Sequence, residues 1–272
     1  MDFSANTSIL FREVPFLERF ERAARAGFDA VEFWWPRGED LGAVAAAIAD
    51  SEVEVVLVNF DAGDMPAGDR GLLSHPSRES EFRENVPVAL DFANRVGCRQ
   101  LNALVGVALP GEDREEQIEL AVANVRWAAR EAAACGVSVL IEAVNTFENG
   151  PYLVSRTDEA ASFIARVGEP NVALQYDAYH MQRMEGNLAA TIRRHGGRIA
   201  HVQIADSPGR GEPGTGEINF PYLFGVLEEI GYRGHVGLEY VPTTPTTEQS
   251  FGWMEGWAGS SGRESSMDTR PH

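Results

Sequence analysis

The chain has 272 residues, with 41 acidic against 23 basic side chains and a net charge of -18, so a polyanionic partner such as nucleic acid is repelled over most of its surface. All of the basic side chains are arginines, which excludes a Schiff-base lysine mechanism. No apolar run approaches the roughly 18 residues that span a bilayer, and the N-terminus M-D-F-S-A-N lacks a basic-then-apolar leader, so a soluble cytoplasmic protein is expected.

The predicted elements alternate from the start. Residues 3–9 read as a first strand that ends in Asn6-Thr7-Ser8. Phe16, Leu17, Phe20, Ala23 and Ala24 then fall at helical spacing over 15–26, and Gly27 closes that helix. Residues 29–33 (D-A-V-E-F) form a second strand running into Trp34 and Trp35, followed by a helix over 41–49 and a third strand over 53–59. The stretch 60–78 is a long loop rich in Gly, Asp and Pro, and such loops in compact domains carry function or motion.

A helix over 79–96, closed by Gly97, leads to a strand over 100–104. A long helix over 114–134 precedes the strand 138–142, and the helix 157–167 has Thr157 as its expected N-cap. Strand and helix follow at 172–177 and 188–195, at 199–203 and 222–230, and at 235–239 and 248–257. Residues 259–272 are rich in Ser, Gly and Arg, with little to pack, and read as a disordered tail behind a single domain over 1–258. Strict alternation of eight strands and helices predicts an α/β fold, a closed (β/α)8 TIM barrel.

Cys98 and Cys135 sit in apolar helix-end contexts without a C-x-x-C spacing, as expected for small buried thiols in a reducing compartment. The glycines of G-E-P-G-T-G-E lack the lysine of a phosphate loop.

Four successive strands end in an oxygen donor: Glu142, Asp177, Gln203 and Glu239. In a parallel barrel those ends ring one mouth, where active sites of this fold sit. Carboxylates brought together there repel one another unless a cation neutralises them, and all-oxygen ligation points to Mg²⁺ or Mn²⁺. Glu148, His180 and Arg210 fall on the same mouth, where His180 and Arg210 are natural grips for substrate oxygens or a carboxylate. Arg183 is an alternative carboxylate contact, and Trp34, Trp35 and Phe60 are candidates to wall the pocket. His75, His195, His201 and His235 show no metal spacing and are read as structural or solvent-exposed.

The segments F-S-A-N-T-S-I-L-F, Y-D-A-Y-H-M-Q-R-M-E-G, H-V-Q-I-A-D, R-G-E-P-G-T-G-E-I-N and G-L-E-Y resemble the hydroxypyruvate isomerase family, a branch of the xylose-isomerase-like barrels that also include ketose 3-epimerases. The likeness spans residues 3–257. It implies a divalent metal held by Glu142, Asp177, Gln203 and Glu239, with Glu142 and Glu239 as the acid–base pair. Glu148, His180 and Arg210 would contact a small hydroxy- or oxo-acid or sugar. One departure is Val241, where lysine is expected in the family. Isomerisation of hydroxypyruvate is the leading expectation. The same chemistry on a 2-oxo- or 3-oxo-tetronate, ketose 3-epimerisation, a DNA-repair endonuclease and a non-catalytic binding module are its rivals. A homo-oligomer is compatible with the sequence.

Overall fold

The computed structural model of the protein describes residues 1–256; the predicted tail at 259–272 lies outside the described residues. Eight parallel strands close into one barrel: β1 (Asp2–Asn6), β2 (Ala30–Phe33), β3 (Glu54–Asn59), β4 (Gln100–Asn102), β5 (Ser138–Glu142), β6 (Val172–Asp177), β7 (Ile199–Ile204) and β8 (His235–Leu238). Each pairs with the next, and β8 returns to β1. Parallel neighbours need a crossover, and most crossovers here are helices. These are α1 (Arg19–Arg25), α2 (Leu41–Ser51), α3 (Glu79–Val96), α4 (Arg114–Ala134), α5 (Thr146–Asn149), α6 (Thr157–Val167), α7 (Ala178–Met184), α8 (Leu188–His195) and α9 (Phe220–Glu229). The predicted barrel is thus observed.

Strand alternation divides each side-chain row between two surroundings. In β2, Val31 and Phe33 belong to the apolar core, and Phe33 packs edge-on against Phe16, Phe20 and Phe92 with centroids 5.9, 5.5 and 6.2 Å apart. The intervening Glu32 is fully buried and meets Ser4 and Asn6 of β1 and His201 and Gln203 of β7. The apolar core therefore lies between strands and helices, while the inside of the barrel carries a polar layer.

Boundaries differ from expectation where side chains compete for the backbone. The first strand stops at Asn6, because the Asn6 side chain accepts the Ser8 amide at 3.1 Å and its carbonyl takes the amides of Ile9 and Leu10. Thr157 is not the N-cap of α6: Arg156 holds that place, and the Thr157 hydroxyl donates instead to Glu185 at 2.7 Å. The chain's last described helix is 3-10, over Thr247–Gly256. Two short helices, α5 and α7, escape the sequence pattern, being too brief to show periodicity.

Gly237 in β8 makes room for the polar layer, since a Cβ there would lie 2.3 Å from a Glu32 carboxylate oxygen. Gly237→Ala should cost about 2–4 kcal/mol, in the range of overpacking and broken buried networks. Chemical denaturation measures this, and a loss below about 0.5 kcal/mol would contradict the packing described.

Candidate active site

Glu142 is the last residue of β5, Asp177 the last of β6, and Glu239 follows β8 directly. The barrel brings their carboxylates together with the His180 imidazole, ligand-capable atoms all within 4.8 Å of one another and all four residues buried. Each group is held from one side by protein donors. Asn102 donates to Glu142 Oε2 at 2.9 Å. The amides of Tyr179 and His180 donate to Asp177 Oδ1 at 2.7 and 3.2 Å, so the same carboxylate caps α7. Glu239 accepts Trp34 Nε1 at 2.7 Å, Asn6 Nδ2 at 3.1 Å and Arg210 Nη2 at 2.7 Å. Among the described residues no hydrogen-bond donor reaches Glu142 Oε1 or Asp177 Oδ2, which leaves both free as ligands.

Electrostatics follow from that crowding. Burial, then the charges of Glu239 and Asp177, push the Glu142 carboxyl well above the ordinary carboxylate range. Burial, opposed by Arg210, pushes the Glu239 carboxyl up to about 7. Arg210 is half-buried, and Glu239, Asp177 and Glu142 hold its guanidinium firmly protonated. Burial drives the His180 imidazole down to about 4, so it is neutral at pH 7.

The hydrogen-bond network also assigns the His180 tautomer. Asn145 Oδ1 accepts the amides of Phe147 and Glu148 at 3.1 Å each, so the Asn145 NH₂ faces His180 Nδ1 at 2.7 Å. Nδ1 is then an acceptor and the ring proton sits on Nε2. That Nε2–H stands 3.7 Å from both Glu142 Oε1 and Asp177 Oδ2, a donor rather than a lone pair. Three carboxylates that repel one another in a buried pocket, two of them with an uncommitted oxygen, form a set that can hold a metal ion.

Gln203 of β7 is the register partner of Asp177 and is held by the polar layer. Its Nε2 donates to Glu32 at 2.6 Å and its Oε1 accepts from Gln175 at 2.6 Å, which answers the need of a buried amide for partners. Glu32 in turn takes donors from Ser4, Asn6 and His201. Burial works against its charge, but His201 and the hydrogen bonds of His201, Gln203 and Ser4 outweigh it and hold the Glu32 carboxyl below the ordinary value. Asn6 links the two levels by donating to both Glu32 and Glu239.

The loop after β7 is organised by Asp206, whose carboxylate accepts the amides of Ser207, Gly214, Gly216 and Ile218 at 2.8–3.0 Å. Its glycine amides therefore face a protein carboxylate, not a phosphate. A Cβ on Gly216 would lie 2.1 Å from the Ser207 carbonyl, so only glycine fits this turn. Arg210, itself at a φ of 55°, emerges from that frame onto Glu239 and lies over the Tyr179 ring at 5.3 Å. The Tyr179 hydroxyl donates to Glu148, which stands exposed at the rim.

A cavity of about 400 Å³ opens above the cluster, lined by Glu142, His180, Arg210 and Glu239 with Trp34, Tyr152 and Arg70 among others. Trp34 walls it as expected, whereas Trp35 lines the neighbouring cavity and Phe60 packs into the core against Phe82. Arg183 lies over Phe147 with its guanidinium 4.8 Å from the ring centroid, and the Val241 side chain is half exposed; neither lines the cavity. Sequence reasoning missed Glu32, Asn102, Tyr179 and Arg70; a lone carboxylate inside the apolar strand D-A-V-E-F was the available signal for Glu32.

In metal-free protein the folded state holds a proton on Glu239 that the unfolded chain, with a carboxyl near 4.5, gives up. The raised Glu142 carboxyl works in the same direction, while His180, kept neutral in the fold, offsets one of the two below about pH 6.5, so stability should fall on balance as pH rises from about 5 through about 7. Thermal denaturation of metal-stripped protein tests this: Glu239→Gln should flatten the slope, and a wild-type slope that is flat or rising over that window contradicts the description.

The sequence pattern of the xylose isomerase-like TIM barrel family matches residues 20–257. Hydroxypyruvate isomerase of Escherichia coli K12 is 45% identical over 93% of this chain and 98% of its own. The 2-oxo-tetronate isomerase of Cupriavidus necator is 38% identical over 94% of this chain and 98% of its own. Among solved structures, a Brucella melitensis protein described as an AP endonuclease of family 2 is 44% identical, with a TM-score of 0.90 over 95% of this chain and 99% of that one. The chain belongs to the xylose isomerase-like TIM barrel family and, within it, to the hydroxypyruvate isomerase family.

Proposed function

We propose that this enzyme interconverts hydroxypyruvate and 2-hydroxy-3-oxopropanoate (tartronate semialdehyde), with Glu142 and Glu239 as the acid–base pair. The observation that carries the reading is the pair itself: two buried glutamates at one pocket, with the Glu142 carboxyl held well above the ordinary carboxylate range and the Glu239 carboxyl pushed up to about 7. A group with that protonation behaviour can both take and return a proton near pH 7. The kinship with hydroxypyruvate isomerases supports the choice of substrate.

The metal-binding oxygens would be Glu142 Oε1, Asp177 Oδ2, Glu239 and Gln203 Oε1, whose second lone pair is not used by Gln175. All-oxygen ligation favours Mg²⁺ or Mn²⁺. When bound, such an ion polarises substrate oxygens and makes the proton on the adjacent carbon more acidic.

One glutamate takes the C3 proton of hydroxypyruvate, giving an enediolate, and the other delivers a proton to C2. A second proton passes from the C3 oxygen to the C2 oxygen, so the carbonyl moves to C3 and no atom is gained or lost. His180, neutral and bearing its proton on Nε2, donates to a substrate oxygen, and Asn145 keeps it in that tautomer. Arg210 holds Glu239 in place and balances the negative charge that develops on the substrate. Glu148 acts from the rim, positioning Tyr179 beneath Arg210.

The same chemistry on a four-carbon 2-oxo-tetronate is the second reading. It is favoured by a further cavity of about 550 Å³ that shares Arg12, Trp34, Asn59, Met65 and Pro66 with the first and leaves room for a longer acid. It is also favoured by the Cupriavidus relative. An endonuclease reading draws no support from this mouth, which has one histidine with a protonated Nε2 on a protein of net charge -18.

Glu142→Gln and Glu239→Gln should each lower kcat on hydroxypyruvate at least about 10²-fold, the usual contribution of a positioned acid or base, while circular dichroism stays unchanged. Steady-state assay of product formation decides; near-normal turnover in both variants would sink the assignment.

A further inference from the structure

Three arginines line the catalytic cavity, and they differ in what they already hold. Arg210 is committed to Glu239 through an ion pair of 2.7 Å. Arg70, from the loop between β3 and α3, is held by neutral acceptors only: Nε donates to Asn149 Oδ1 at 2.9 Å, and Nη1 to the carbonyls of Met65 and Asp69 at 2.9 and 2.7 Å. The one carboxylate beside it in sequence, Asp69, is engaged with Arg78 and the Asp64 amide. Arg12, from the loop after β1, makes no hydrogen bond or ion pair among the described residues and borders both this cavity and the next.

We infer that Arg70 and Arg12 form the carboxylate-binding subsite of the pocket, which selects a small oxo- or hydroxy-acid over a neutral ketose. This rests on the proposed activity for the identity of the acid, though not for the anion site itself. The chemistry is that of a preorganised fork. Three contacts fix the Arg70 guanidinium while leaving Nη2 unused, so little side-chain freedom is lost when an anion arrives. Contacts to carbonyls orient the group without neutralising it, which an ion pair would do. The need is plain from the charge balance, because an anion approaching a protein of net charge -18, and a mouth of three carboxylates, is repelled unless cations face it locally. The sequence places that grip on Arg210 and His180. In the structure Arg210 is taken by Glu239, and the cations without an ion pair stand on other loops of the same mouth, after β1 and β3.

The test pairs kinetics on hydroxypyruvate with calorimetric binding of D-glycerate, an acid that this isomerisation cannot consume, using Mn²⁺-loaded protein. Arg70→Gln should raise KM and weaken glycerate about tenfold or more, the scale of a lost charge-assisted hydrogen bond, with kcat within about threefold. Arg70→Lys should recover part of both, and Arg12→Gln should lose about threefold or more. Added salt should weaken glycerate binding to wild type and leave the double variant little changed.

Unchanged KM and glycerate affinity in folded Arg70→Gln and Arg12→Gln proteins overturn the subsite. If Arg70→Gln fails to fold, Arg12→Gln, which breaks no hydrogen bond or ion pair among the described residues, decides alone. A wild type that binds glycerate in an arginine-dependent way but turns over no oxo-acid would uphold the subsite and remove the proposed activity. Turnover with arginine-independent KM would do the reverse.

Discussion

Three carboxylates and an imidazole, buried within 4.8 Å of one another, set the terms for the rest of this molecule. Like charges at that separation cannot all be ionised in a dry pocket without a compensating cation. The protein spends Arg210 on Glu239, keeps His180 neutral, and leaves Glu142 and Glu239 with raised carboxyls. Repulsion stored in this way is useful in two respects. It makes a set that can hold a cation, and it puts two glutamates with raised carboxyls at one pocket.

Holding such a cluster open requires a rigid base. Glu32 supplies it as a further buried carboxylate, but one of opposite character: its charge is satisfied by Ser4, Asn6, His201 and Gln203, and its carboxyl stays ionised. One level fully bonded and the next deliberately under-bonded is the vertical logic of the barrel interior. Asn6 ties the levels together, so a change that moves Glu32 also moves Glu239. The loop after β7 works sideways in the same manner, wrapping backbone amides on Asp206 so that Arg210 arrives at one place.

The barrel and the ring of strand-end donors are legible in the chain because both follow from period and position. Glu142, Asp177 and Glu239 each end an apolar run, and parallel strands put their ends on one side. What the sequence withholds is pairing across the barrel. Glu32 and His201 are 169 residues apart, and neither has a local reason to seek the other. Asn102, Tyr179 and Arg70 lie on a short strand, a short helix and an irregular loop, where no periodicity reports which way a side chain faces. An N-cap preference is local, whereas the Thr157 hydroxyl donates to Glu185 from another segment. Val241, the departure from the family pattern, lies outside the cavity, while Arg12 and Arg70 supply cations that the motifs do not single out.

The central claim is a metal-assisted proton transfer between adjacent carbons by the Glu142–Glu239 pair. It is tested most directly by proton NMR of hydroxypyruvate with the enzyme in D₂O, recorded after chelation and again after adding Mg²⁺ or Mn²⁺. The account predicts no change in the stripped protein and, on metal addition, an aldehyde product carrying deuterium at C2. Neither deuterium exchange nor product with metal present, on hydroxypyruvate or on a 2-oxo-tetronate, would contradict it.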